Sequence, residues 1–260
     1  MGIFSEFSKP YLLTALLLTG NAWSQLNVGV GSSIDFGDAV VEMGCTDLVV
    51  SGTANTTASQ ITGIDDVSIS AGGAFNGGSA QLSLSGDFAN AGSFSGGSGS
   101  VMIVDGCGKA QSRVSGQSSF NNLSITTATG KEAIFEAGKT TTVAGTLTLN
   151  GASGNLLKIR SSTPPNPALL AATPAQSIQY VDVADNRAVG AVIAPGLPGN
   201  FDSIASGKVY RWFRFDENGD PIKVPVPTLS QWGILALSAL MMLLFLGRLP
   251  IRKTAAERGR

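Results

Sequence analysis

"LSLSGDFANAGSFSGGSGSVMIVDG", residues 82–106, has apolar side chains two apart at both ends and little but Gly, Ser, Ala and Asn between them. Leu82-Ser83-Leu84 and Val101-Met102-Ile103 carry the period of two that a strand requires, and Gly96-Gly97 is a turn signal between them. Nineteen residues separate Leu82 from Val101, twenty separate Ile103 from Leu123, and twenty-four separate Leu123 from Leu147. A recurring interval near twenty is the length of one coil of a parallel β-helix, whose small residues turn corners while its aliphatics stack inside.

Leu123-Ser124-Ile125, Leu147-Thr148-Leu149 and Tyr180-Val181-Asp182-Val183 extend the pattern, with Gly72-Gly73 and Asn150-Gly151 as further turns. No helical stripe longer than ten residues interrupts the body, and the best candidate, Pro167 to Thr173, is short and bounded by proline. The fold expected is all-β: a right-handed parallel β-helix over 45–203, preceded by a cap segment over 25–44. An antiparallel β-sandwich is the rival, since it too has turn signals every few residues, but large aliphatics and aromatics are too few to fill its core.

Residues 204–224 differ, crowding Tyr210, Trp212, Phe213 and Phe215 with Arg211 and Arg214 before Asp216-Glu217-Asn218-Gly219-Asp220. A hairpin turning at Asn218-Gly219 and capping the solenoid fits best. Asp216, Asn218 and Asp220 have the alternate spacing of calcium ligands, but Pro221 stands where such a loop needs glycine, and Pro227 where it needs glutamate. A carbohydrate-binding platform is the alternative use of the aromatics.

Both ends look like targeting segments. Residues 1–24 combine Lys9, an apolar core from Tyr11 to Leu18 and Ala22-Trp23-Ser24, so a signal peptide cleaved between Ser24 and Gln25 is expected. Its apolar core is too short for a bilayer anchor. Export opens the way to a disulfide, and Cys45 and Cys107 are the only cysteines. With no histidine in the chain, His-dependent triads, general bases and metal centres are excluded; neither a resident metal nor a cofactor is expected.

Residues 25–229 carry sixteen acidic and eleven basic side chains, and no Lys or Arg occurs between Lys9 and Lys109. That imbalance disfavours nucleic acid as a partner. Asp35, Asp38, Glu42, Asp47, Asp65, Asp66, Asp87 and Asp105 read as a solvated acidic surface.

The far end, "VPVPTLSQWGILALSALMMLLFLGRLPIRK" at 224–253, holds sixteen uncharged residues from Trp232 to Gly247. With Leu249-Pro250-Ile251 it is just long enough for a membrane-spanning helix of about 30 Å. Arg248, Arg252, Lys253, Arg258 and Arg260 follow as a basic stop-transfer cluster that keeps this end in the cytoplasm.

Two resemblances add to this reading. Residues 82–106, with "SSFNNLSI" at 118–125, "GKTTTVAGTLTLNGASGNLLKIRSS" at 138–162 and "IQYVDVADNRAVG" at 178–190, resemble the repeats of secreted bacterial β-helix surface proteins. Val226-Pro227-Thr228-Leu229-Ser230-Gln231-Trp232-Gly233, within a tail spanning 225–260, resembles the IPTL-CTERM sorting signal of Gram-negative bacteria, a relative of the PEP-CTERM type. Val226 stands for the usual isoleucine and Gln231 for a commonly acidic residue. This resemblance implies recognition by an exosortase, a membrane transpeptidase, so the motif is a substrate and Thr228 and Ser230 are not catalytic.

The function expected is that of an exported, non-enzymatic cell-surface or matrix protein of structural or adhesive type. Its partners are the Sec translocon, signal peptidase, the inner membrane in passing, an exosortase-like enzyme and a surface polysaccharide. The rivals are a β-helix polysaccharide-active enzyme using Asp182, Asp185 and Arg187, and a periplasmic protein permanently anchored in the inner membrane.

Overall fold

A computed structural model describes residues 25–223 and 231–246. The chain divides into two units at Ile222/Lys223. The first is a parallel β-solenoid of about eight turns with three faces. Every ladder between its strands is parallel, which settles the β-helix against the sandwich, because a sandwich of this kind is built from antiparallel pairs.

The first face runs through Gln25–Val28, residues 47–50, residues 67–69, Phe88–Asn90, Gln111–Ser115, Glu132–Phe135, Leu157–Ser161, Val181–Val183 and Ile204–Ala205. The second begins at Ser33–Asp35 and ends at Val209–Tyr210. The third stacks residues 40–42, residues 60–64, Gln81–Leu84, Ser100–Ile103, Asn122–Thr126, Leu147–Asn150 and Gln176–Gln179. The first two turns of the third face continue unbroken into the first as the long strands Val40–Val50 and Gln60–Ile69, which bend at irregular registers.

The periodic pairs of the sequence are therefore successive rungs of one face. Leu82, Val101, Leu123 and Leu147 form one buried column, and Leu84, Ile103, Ile125 and Leu149 its neighbour. No single coil buries these side chains; the coils above and below do. Phe75, Phe88, Phe94 and Phe120 fill the middle of the stack, with ring centroids 5.0–5.9 Å apart. Close stacking also sets where glycine is needed. At Gly97, φ is +53° and a Cβ would fall 1.9 Å from the Gly78 carbonyl of the preceding coil.

Two boundaries differ from expectation. Residues 25–44 do not stand apart as a cap: Gln25–Val28, Ser33–Asp35 and residues 40–42 are the first full turn. The terminal hairpin also dissolves into the solenoid, since Ile204–Ala205 and Val209–Tyr210 add parallel rungs. Only the turn closed by the antiparallel bridge between Phe215 and Pro221 is hairpin-like. Trp212 and Phe213 are fully buried and plug this end.

The second unit contains one described helix, α1, Gln231–Leu246.

Candidate functional site

The residue-level features fall in three places: the solenoid's last turns, the corner joining its third and first faces, and the tail.

In the last turns, the three residues of the rival polysaccharide-active reading have separate surroundings. Asp182 is held by the Arg160 guanidinium, which also donates to the Asp182 carbonyl at 2.6 Å. Arg187 instead lies over the Tyr210 ring at 4.1 Å and donates to the Glu217 carbonyl. Asp185 sits in a turn at φ +53°. The calcium-loop spacing has a different purpose: Asp216 Oδ1 accepts the backbone N–H groups of Asn218 and Asp220 at 2.8 and 2.9 Å, closing the turn on itself. Those bonds hold the Asp216 carboxyl below its ordinary range. Trp212 and Phe213 are buried and offer no ring face to a ligand, whereas Tyr210 and Phe215 are partly exposed.

The corner between the third and first faces gathers Asp47, Asp65, Asp66, Asp87 and Asp105 of the acidic N-terminal half, while Asp35 lies on the second face. Asp47, Asp66 and Asp87 occupy equivalent positions in successive coils. Each carboxylate accepts the backbone N–H of the residue above: Asp66 on Asp47, Asp87 on Asp66, Arg113 on Asp87, at 3.2, 2.6 and 2.7 Å. The Lys109 ammonium lies 3.2 Å from both Asp65 and Asp66. Burial pushes the Lys109 pKa down, but those two partners outweigh it and raise it. Burial also raises the Asp47 carboxyl, aided by the charges of Asp66 and Asp65.

Above them, Lys131 is fully buried, donating from Nζ to the Ser85 carbonyl at 2.6 Å, the Lys109 carbonyl at 2.9 Å and Ser112 Oγ at 3.2 Å. All three protons are thereby engaged, and burial lowers its pKa. Asp105 accepts from Thr127 Oγ1 and from the Ala128 and Thr129 amides. Its burial favours the neutral acid, but these bonds win and hold the carboxyl below its usual range.

Cys45 and Cys107 are joined, with Cα atoms 5.5 Å apart. The carboxylates of Asp47, Asp65 and Asp66 lie close enough together to hold a cation, but Lys109 already supplies the positive charge there.

Sequence reasoning missed Lys109 and Lys131 altogether, because nothing local marks a lysine that reaches two coils back. The aspartate ladder did leave a signal, since nineteen and twenty-one residues separate Asp47, Asp66 and Asp87, the same period as the aliphatics.

In the tail, the described side chains of α1, from Leu235 to Met242, are all exposed, with Leu240 at 55% and Met242 at 69%. Leu235, Leu237, Leu240, Met241 and Met242 surround the axis, so α1 has no polar side to give to water and no stripe to give to a core. Its sixteen residues make about 24 Å, and among the described residues no helix is long and apolar enough to cross a membrane. Trp232 and Gly233 lie in its first turn. Val226, Pro227, Thr228, Leu229 and Ser230, the basic residues Arg248, Arg252, Lys253, Arg258 and Arg260, and Ala22 and Ser24 lie outside the described residues, whereas Gln25 opens the first strand.

Fold and tail together define a β-solenoid that ends in a sorting segment. Residues 224–249 match the IPTL-CTERM motif, the signal resembled by the sequence, which implies export and membrane-associated processing by an exosortase-like enzyme. No curated protein and no solved structure matches the chain.

Proposed function

We propose that the chain is a non-enzymatic surface or matrix protein whose solenoid is a rigid structural or adhesive module. In this reading the Sec translocon exports it, signal peptidase cuts before Gln25, and α1 holds the tail in the inner membrane while an exosortase-like transpeptidase cleaves near Pro227 to Ser230.

The observation that carries this is α1, apolar on every side and exposed along its described length inside the matched motif. Such a helix is stable only when lipid or another protein covers it. Beyond Leu246 the sequence adds Gly247, Leu249, Pro250 and Ile251 around the single charge of Arg248 before reaching Arg252 and Lys253. Pro225 and Pro227 are residue types that disfavour helix, which suits a segment offered to a protease-like cleft. The non-enzymatic part of the reading is supported by Asp182 and Arg187 being engaged with different partners.

Replacing Pro227, Thr228 and Leu229 by alanine in the native host tests it. The variant is expected to accumulate uncleaved in the inner membrane. Unchanged size and location relative to wild type would overturn sorting and favour a permanent anchor.

A further inference from the structure

The disulfide sits at the acidic corner rather than within the aliphatic columns. Cys45 lies in the corner before Asp47, and Cys107 in the corner before Arg113. Asp47, Asp66, Asp87 and Arg113 are successive rungs, so the two corners are three coil steps apart, about 14 Å of stack at the usual strand spacing. The cysteine Cα atoms are nevertheless 5.5 Å apart.

The irregular strand segment at Cys45 and the loop at Cys107 must therefore lean toward each other across the intervening rungs. They do so through left-handed residues: Gly44 and Cys45 at φ +58° and +63°, Cys107 and Gly108 at +47° and +71°. A non-glycine residue holds such a conformation only when its surroundings enforce it.

Lys109 is two residues beyond Cys107, and by leaning back its loop carries the ammonium to Asp65 and Asp66, two rungs below. Beneath it three carboxylates lie within 4.8 Å of one another. The Lys109 carbonyl in turn accepts from buried Lys131. One loop thus carries a covalent tie, the counter-charge for an acidic cluster and an acceptor for a buried ammonium.

We propose that Cys45–Cys107 and Lys109 form a redox-gated clasp, which closes the acidic corner only in an oxidising compartment. While both cysteines are thiols, only the part-exposed Lys109 ion pairs and the Lys131 hydrogen bond draw the loop across the stack, and without the covalent tie they do not hold it closed. Lys109 then leaves Asp65 and Asp66, and like charges hold the corner apart. Closure follows when a Cys thiolate attacks an external disulfide, such as that of an oxidising thiol–disulfide oxidoreductase, to give a mixed disulfide. The second thiolate displaces the oxidant as its dithiol. Two protons leave the cysteines, and two electrons pass to the oxidant. The clasp rests on the export reading for its biological sense: a reducing cytosol leaves it open during translocation, and the compartment beyond closes it.

Hydrogen exchange by mass spectrometry on the full-length chain in mild non-ionic detergent, with and without a phosphine reductant, tests this. Reduction is expected to speed exchange by about tenfold or more in peptides covering 42–47, 63–66 and 104–112. Peptides covering 147–150 and 181–183 should be unchanged. The double variant Cys45→Ser/Cys107→Ser should show the same fast corner without reductant, and Lys109→Met should show faster exchange at 63–66 with the disulfide intact. High salt should slow the reduced corner again by screening its carboxylates. Unchanged exchange on reduction, or an even acceleration through all turns, would overturn the clasp. Neither result depends on whether the tail is processed, so failure here is distinguishable from failure of the sorting reading.

Discussion

Leu123 and Leu240 are the same side chain with opposite fates: the first is wholly buried in the solenoid, the second 55% exposed on α1. In the solenoid a leucine recurs once per coil, and the coils on either side cover it. On α1 leucines and methionines recur on every side, so no packing within this helix can cover them. Apolar surface in the first unit specifies a fold; in the second it specifies an environment.

The contrast can be broken from either side. Truncating Phe88, which is fully buried against Phe94 and Phe120, should cost the solenoid about 3–5 kcal/mol. Chemical denaturation followed by far-ultraviolet circular dichroism would measure it. Replacing Cys45 and Cys107 by serine removes a link across 62 residues, worth roughly 4 kcal/mol at most in the chain-entropy account, and the same denaturation series should show a loss no larger than that. Lys131→Ala leaves the Ser85 and Lys109 carbonyls without their buried donor, a change of about 1–3 kcal/mol in thermal or denaturant stability.

Asp105→Asn sharpens the picture by its pH dependence. The folded carboxyl is held below its unfolded value, so its stabilisation is complete above the ordinary carboxylate range, near 4, and disappears as pH falls through the lower folded value. Wild type and variant should differ at neutral pH and converge in acid, as read from thermal melting across pH. Leu240→Arg should leave solenoid stability within about 0.5 kcal/mol yet prevent processing, seen as retention of the full-length form on a blot of native-host fractions.

Much of this was legible in the sequence, for a physical reason. A solenoid repeats its own environment, so one coil's apolar pair announces the next, and Leu82, Val101, Leu123 and Leu147 were readable as a stack. Register was less so: Ile103 and Leu123 are twenty apart, but Leu123 pairs with Val101, twenty-two away. The first turn was hidden because its apolar residues are sparse and its last strand runs round the corner to Val50 without a turn signal. The terminal aromatics looked like a surface feature because sequence does not tell a buried plug from an exposed platform. Lys109 and Lys131 act across coils, and only the fold brings them to their partners. The tail reversed the balance, since its ordered succession of motif, apolar helix and arginines is a linear signal.

The central claim is that the same chain carries a folded solenoid and a disposable address. Intact-mass spectrometry of the protein from its native host, fractionated into inner membrane, outer surface and medium, tests it most directly. The account predicts a surface or medium form beginning at Gln25 and ending between Pro227 and Ser230, with or without an added mass. A form confined to the inner membrane and still ending at Arg260 would contradict it.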